Sequence, residues 1–174
     1  MPEWLTLDKG KLTIGGQSFG GMTSVRTAFI DKRVAACLTM DPWLYAERED
    51  VFNGVLKLEV PYIAVTTEHF NRLGVTFVID RSLSTLYKNS TNPFNETVRI
   101  KGLYHEAQQD LGAFGVLELA MSEGIKPNPR MGYLYFMNGQ SWLYFLDKIG
   151  FNNRQFDPIP IRARYETFKM EDTF

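Results

Sequence analysis

A glycine-rich pentapeptide constrains the fold of this chain more than any other feature. Gly16-Gln17-Ser18-Phe19-Gly20 follows the apolar residues 12–14 and precedes the helix-compatible residues 22–29. The pattern G-x-S-x-G between these two stretches predicts a sharp turn from a strand into a helix. The serine in such a turn has a strained backbone, so its neighbours must be small. We expect Gly15, Gly16, Gly20 and Gly21 to provide this space.

Apolar runs with the character of strands recur along the chain, at residues 11–15, 34–40, 61–66 and 97–101. Helical stretches lie between and after them, at 21–30, 81–87, 108–123 and 140–149. Strands that alternate with helices are typical of βαβ units, which build a parallel sheet. The sequence therefore predicts an α/β fold with a parallel sheet flanked by helices.

Composition limits the partners and cofactors to expect. Nineteen basic and twenty acidic side chains give a net charge of −1, which argues against nucleic acid as a partner. No apolar run reaches the 18 residues of a transmembrane segment, and the first residues lack the features of a secretory signal, so a soluble chain is expected. One cysteine and two histidines provide little for a disulfide or a metal centre. We expect no metal and no cofactor, and the compartment is not indicated.

The serine of the pentapeptide, Ser18, is the candidate nucleophile. A serine nucleophile needs a histidine base, and the base needs a carboxylate that orients it. His105 follows the last strand-like run and comes after the serine in the chain order that this turn motif requires. It is the better candidate base, and His69 is interpreted as a loop or surface residue.

Two carboxylates are candidates for the acid. Asp41 directly follows the strand-like run 34–40, and Glu68 comes soon after the run 61–66. Both would emerge at the carboxyl edge of a parallel sheet, where functional loops collect. The residues alone leave this choice open.

Four segments together resemble the platelet-activating factor acetylhydrolases, which are calcium-independent, phospholipase-type serine esterases with an α/β-hydrolase fold. They are residues 16–21, Met40-Asp41-Pro42-Trp43, residues 65–70 and residues 101–105. The resemblance extends over about residues 9–150. It implies that Asp41 is the acid, that the Phe19 backbone N–H is an oxyanion donor, and that Trp43 helps to wall the acyl pocket. Gln17 stands where the family more often has histidine, which is expected to matter little.

The position of the motif in the chain differs from the family pattern. The nucleophile strand is ordinarily about the fifth in an α/β-hydrolase sheet, but only a short leader precedes it here. The resemblance thus implies the C-terminal half of an α/β-hydrolase fold, with the N-terminal strands absent. We expect a partial domain at residues 1–157 and a C-terminal tail at 158–174. A protein partner, or the missing half, would complete the sheet.

The predicted function is that of a serine esterase that hydrolyses short acyl esters of phospholipids by a Ser-His-Asp triad. The alternative is a non-catalytic, hydrolase-derived subunit or fragment that another chain completes. A weaker possibility is membrane association through the aromatic residues 131–137, for which core packing is the favoured interpretation.

Overall fold

The computed structural model describes residues 8–68, 70, 76–92, 94–100, 105–108 and 131–151. The strands are β1 (Thr13–Gln17), β2 (Ala36–Met40), β3 (Tyr62–Thr67) and β4 (Asn95–Ile100). The helices are α1 (Phe19–Ile30), α2 (Arg48–Phe52), α3 (Thr76–Asn89) and α4 (Met131–Lys148). Single turns of 3-10 helix cover Lys9–Lys11, Leu44–Glu47 and His105–Gln108.

The four strands form one parallel sheet in the order β1-β2-β3-β4. Neighbouring strands are also consecutive in the chain. Because crossovers between parallel strands are right-handed, the helices that connect them, α1, α2 and α3, lie on the same face of the sheet. All carboxyl ends meet at one edge, where Ser18, Asp41 and Glu68 follow β1, β2 and β3. The predicted α/β class, with a parallel sheet flanked by helices, is confirmed.

Two apolar clusters cover the two faces of the sheet. Alternate strand residues point to opposite faces, so Cys37 and Tyr62 belong to one cluster while Leu38 and Ile63 belong to the other. The first cluster packs against α1, α2 and α3, and the second packs against α4. Burial on both faces explains why the residues of β2 and β3 read as continuous apolar runs.

Two helices begin earlier than the sequence predicts. Helix α3 starts at Thr76 rather than at residue 81, and α4 starts at Met131 rather than at 140. Their first turns contain β-branched, aromatic or glycine residues, which have weak intrinsic helix propensity. In α3, tertiary packing compensates, because Ile79, Leu83 and Leu86 lie on one face and are buried.

Strand β1 lies two residues further along the chain than predicted. Residues 9–11 form a 3-10 turn, in which the Asp8 side chain accepts a hydrogen bond from the Gly10 N–H. The strand then continues through the glycines, because Gly16 and Gln17 pair with Thr39 and Met40 of β2. Pairing with β2 thus extends the strand up to Ser18.

Several predictions concern residues that the structure does not describe. The helix at 108–123 lies outside the described residues except for Gln108, and so does the tail at 158–174, so the division at residue 157 stays a prediction. The aromatic residues 131–137 lie in α4, where Met137 is fully buried in the second cluster. None of the described helices is long and apolar enough to cross a membrane.

Candidate active site

The turn between β1 and α1 places Ser18 at the carboxyl edge of the sheet. Ser18 has φ of 56° and ψ of −120°, a backbone conformation that residues other than glycine rarely adopt. Its N–H donates to the Met40 carbonyl at 2.9 Å, and its carbonyl accepts from the N–H groups of Met22 and Trp43. These hydrogen bonds hold the backbone conformation on both sides of the serine.

The glycines around Ser18 differ in how tightly they are packed. A Cβ atom on residue 16 would lie 2.5 Å from the carbonyl oxygen of Gly20, and one on residue 15 would lie 2.7 Å from Leu38. A Cβ on residue 21 would come within 3.0 Å of Pro42, whereas one on residue 20 would meet nothing within 4 Å. The expectation that all four glycines provide space is therefore wrong for Gly20.

Asp41 lies at the end of β2 and is fully buried. Its backbone φ is 42°, and its N–H donates to the Val65 carbonyl of β3. The N–H of Thr67 donates to Oδ1 at 2.7 Å, and the Thr67 hydroxyl donates to Oδ2 at 2.8 Å. Burial raises the pKa of Asp41 above its usual value, while hydrogen bonds from His105 and Thr67 partly offset this effect.

His105 begins the 3-10 turn after β4 and lies between the other two side chains. Its Nε2 atom is 2.9 Å from Ser18 Oγ, and its Nδ1 atom is 3.1 Å from Asp41 Oδ2. The tautomer that satisfies both contacts carries its proton on Nδ1, which leaves Nε2 free to accept from the serine hydroxyl. An imidazole in this arrangement can take a proton from an attacking serine.

The His105 imidazole contacts Asp41 rather than Glu68. Both carboxylates follow strands at the same edge, but it is Asp41 whose oxygen lies within hydrogen-bond distance of His105. Glu68 follows β3 and donates its backbone N–H to the Ile100 carbonyl. His69, interpreted from the sequence as a loop or surface residue, lies outside the described residues.

Phe19 and Trp43 flank the serine with exposed aromatic side chains. Phe19 is the first residue of α1, so its backbone N–H is among those that no earlier helical carbonyl can satisfy. Phe19 is 62% exposed and Trp43 is 42% exposed. Both are thus available to contact a bound molecule beside Ser18.

Comparison with known proteins places the chain in a family. The sequence model described as platelet-activating factor acetylhydrolase, isoform II, matches residues 5–126. The chain belongs to this family. The family resemblance inferred from the four segments is therefore confirmed.

A platelet-activating factor acetylhydrolase of Cavia porcellus is similar over a shorter stretch. It is 33% identical over 76 residues, which cover 44% of this chain and 17% of the Cavia protein. The chain thus matches less than a fifth of the length of this relative.

From the sequence, no role at the site was assigned to three side chains that contact the candidate residues of this family member. Thr67 binds both carboxylate oxygens of Asp41, and the ring of Phe70 stacks on the imidazole of His105. Gln17 donates from Nε2 to the His105 carbonyl at 3.5 Å, so the expectation that it matters little overlooks this contact. A polar residue at the end of β3 was a usable signal for Thr67. Nothing in the sequence pattern identified the other two.

The described part of the chain holds no group of three or more His, Cys, Asp or Glu side chains that could bind a metal ion. Cys37 is buried within the core cluster on the face covered by α1, α2 and α3, and burial raises the pKa of its thiol. Its position in β2, on the face opposite Leu38, makes it a packing residue.

Proposed function

We propose that this protein is a calcium-independent serine esterase that hydrolyses short acyl esters of phospholipids. One observation carries the proposal: His105 bridges Ser18 and Asp41 with contacts of 2.9 and 3.1 Å. Membership of the family provides independent support for a lipid ester as the substrate class.

In the first step, Ser18 Oγ attacks the carbonyl carbon of the ester while its proton passes to His105 Nε2. Asp41 Oδ2 holds the Nδ1 proton and stabilises the imidazolium that forms. The tetrahedral intermediate then collapses, and His105 returns the proton to the departing alcohol. Water attacks the acyl-serine in the same way, which releases the acid and restores Ser18.

The Phe19 N–H is proposed as one donor to the negatively charged oxygen of the intermediate. It follows the nucleophile directly, as the first donor does in this turn motif. A second donor would come from a segment that no motif in this chain identifies. Losing one such donor typically lowers turnover by about 10²–10³. Trp43 is proposed to wall the acyl pocket, because it is partly exposed and its backbone N–H binds the Ser18 carbonyl.

Fluorophosphonate labelling tests the nucleophile. We expect covalent labelling of the purified protein, and we expect the Ser18→Ala variant to lose it. Ser84→Ala, in α3 on a different part of the fold, is the matched control and should label normally. Labelling and hydrolysis of an acetylated phospholipid should both persist in EGTA. Unchanged labelling of Ser18→Ala would refute the assignment.

A second candidate function is that of a non-catalytic, hydrolase-derived subunit or fragment completed by another chain. It is favoured by the position of β1, which lies at the outer edge of the described sheet. On this proposal, the four strands are the C-terminal half of an α/β-hydrolase sheet, residues 1–157 form a partial domain, and a further strand pairs with β1. Absence of any labelling, in a protein whose hydroxyl, imidazole and carboxylate are intact, would favour this function over the esterase.

A further inference from the structure

The ring of Phe70 stacks on the imidazole of His105. The two ring centroids are 4.2 Å apart, and the planes are inclined by 22°. Phe70 is 5% exposed and belongs to the core cluster beneath α1, α2 and α3. A side chain anchored in the core thus covers one face of the histidine ring.

Stacking on Phe70 restrains tilting of the His105 ring, which the two hydrogen bonds of the ring do not prevent. Ser18 and Asp41 contact the ring nitrogens and so define directions within the ring plane. The side-chain torsion that sets the tilt of a histidine ring has a broad, shallow minimum, so rotamer preference alone leaves the tilt variable. A buried aromatic face at van der Waals distance opposes tilting out of the plane.

The same contact is placed to stabilise the imidazolium that the proposed mechanism forms. The face of a phenylalanine ring is negative, so it attracts a cation placed over it. During proton transfer from Ser18 the imidazole becomes a cation, and Asp41 stabilises it from the edge while Phe70 stabilises it from the face. The side chain of His105 is 15% exposed, so little water is present to weaken this attraction.

We propose that Phe70 is a positioning residue that holds the His105 ring between Ser18 and Asp41 and stabilises the imidazolium formed there. The catalytic part of this proposal rests on the proposed esterase function. The placement of the ring does not depend on that function.

Two variants test the catalytic part. Replacing Phe70 with pentafluorophenylalanine keeps the shape of the ring but reverses the sign of its face, and Phe70→Leu removes the ring while the site stays apolar. We expect kcat to fall about tenfold in each, with KM little changed. The same two replacements at Phe29, which packs against the same core cluster, should leave kcat unchanged. An unchanged kcat in the fluorinated protein would overturn the charge stabilisation.

Nuclear magnetic resonance tests the placement without using activity. The chain has two histidines, so a His69→Gln variant assigns the imidazole signals of His105. We expect ring-current shifts of the His105 carbon-bound protons that disappear in Phe70→Leu and persist in Phe29→Leu. If Phe70→Leu leaves both these shifts and kcat unaltered, the proposal is wrong. The protein could instead show these shifts but be neither labelled by the fluorophosphonate nor active. That result would confirm the stack and refute the esterase proposal.

Discussion

Ser18 and Asp41 are the non-glycine residues with positive φ in the described part of the chain, and both lie at the candidate site. A strained backbone persists only where surrounding contacts hold it. The N–H of Ser18 binds the Met40 carbonyl, while the Asp41 carboxylate binds Thr67 through two hydrogen bonds. The last residue of β2 thus holds Ser18, which follows β1. The last residue of β3 holds Asp41, which follows β2.

Thr67→Val should lower kcat about tenfold with little change in KM, because Asp41 loses one of the hydrogen bonds that orient it. The matched control is Thr97→Val in β4, which removes a buried hydroxyl that binds Tyr87 rather than a candidate site residue. Both variants should lose about 1 kcal/mol of stability in thermal unfolding. Equal kcat values for the two would show that Thr67 has no role in orienting the acid.

Asp41→Asn should lower turnover by about 10⁴, because the imidazole loses its charged partner. The same variant should be more stable than the parent protein at neutral pH. Burial raises the pKa of Asp41 in the folded state, so ionisation of the carboxylate opposes folding, and this cost is fully present once the pH exceeds that raised value. The gain should shrink as the pH falls through this value, and it should disappear below the unfolded value, where the aspartic acid is protonated in both states.

Asp31→Asn provides the control of opposite sign. Hydrogen bonds from Arg33 lower the pKa of Asp31 to about 2, so its contribution to stability is present at neutral pH and is lost as the pH falls towards 2. Thermal unfolding of the three proteins from about pH 2 to pH 8 measures both effects. An Asp41→Asn variant that is less stable than the parent at neutral pH would contradict the prediction.

The turn between β1 and α1 depends on close backbone approach as much as on the strained serine. Gly16 has no space for a methyl group because the carbonyl of Gly20 lies where its Cβ would be. That neighbour is backbone and cannot rotate away. The sequence motif alone does not distinguish such a crowded glycine from one with space around it.

Gly16→Ala should therefore displace Ser18, lower the fluorophosphonate labelling rate at least about hundredfold and lower the melting temperature. Gly20→Ala is the control at the same turn, because a Cβ there meets nothing within 4 Å. It should label at close to the parent rate. Similar losses in the two variants would mean that the glycines act through backbone freedom rather than through space.

The described sheet has its candidate nucleophile strand at one edge and its two inner strands buried on both faces. Such an edge presents backbone groups to which a further strand can bind. The two core clusters stabilise β2 and β3 from both sides, but Gly15 and Leu12 next to the edge are exposed. Whether a further strand pairs with β1 therefore has to be tested on the assembled molecule.

Amide hydrogen exchange should report on this edge. Alternate amides of Thr13–Gln17 point away from β2, so we expect them to exchange much faster than those of β3 in the isolated chain. A polypeptide that adds a strand should protect them selectively, while the β3 amides serve as the internal control. Uniform protection of β1 in a protein that light scattering shows to be monomeric would exclude the subunit proposal.

The candidate site could be located from sequence because each candidate residue lies in a recognisable turn motif or follows an apolar run. Parallel strands bring such positions to one edge, so Ser18, Asp41 and His105 were identifiable before any contact was known. The α/β class followed from the same alternation of strands and helices. The early starts of α3 and α4 were missed because their first turns contain residues of weak intrinsic helix propensity.

By itself, the sequence determined the class of fold, the motif around the serine and the two possible acids. The family resemblance favoured Asp41 over Glu68, and the tertiary structure shows that Asp41 contacts His105, that Thr67 binds this carboxylate, and that Phe70 covers the imidazole. The physical reason is that local patterns place residues on strands and at their ends. The distances between side chains from different strands depend on the register and packing of the whole sheet.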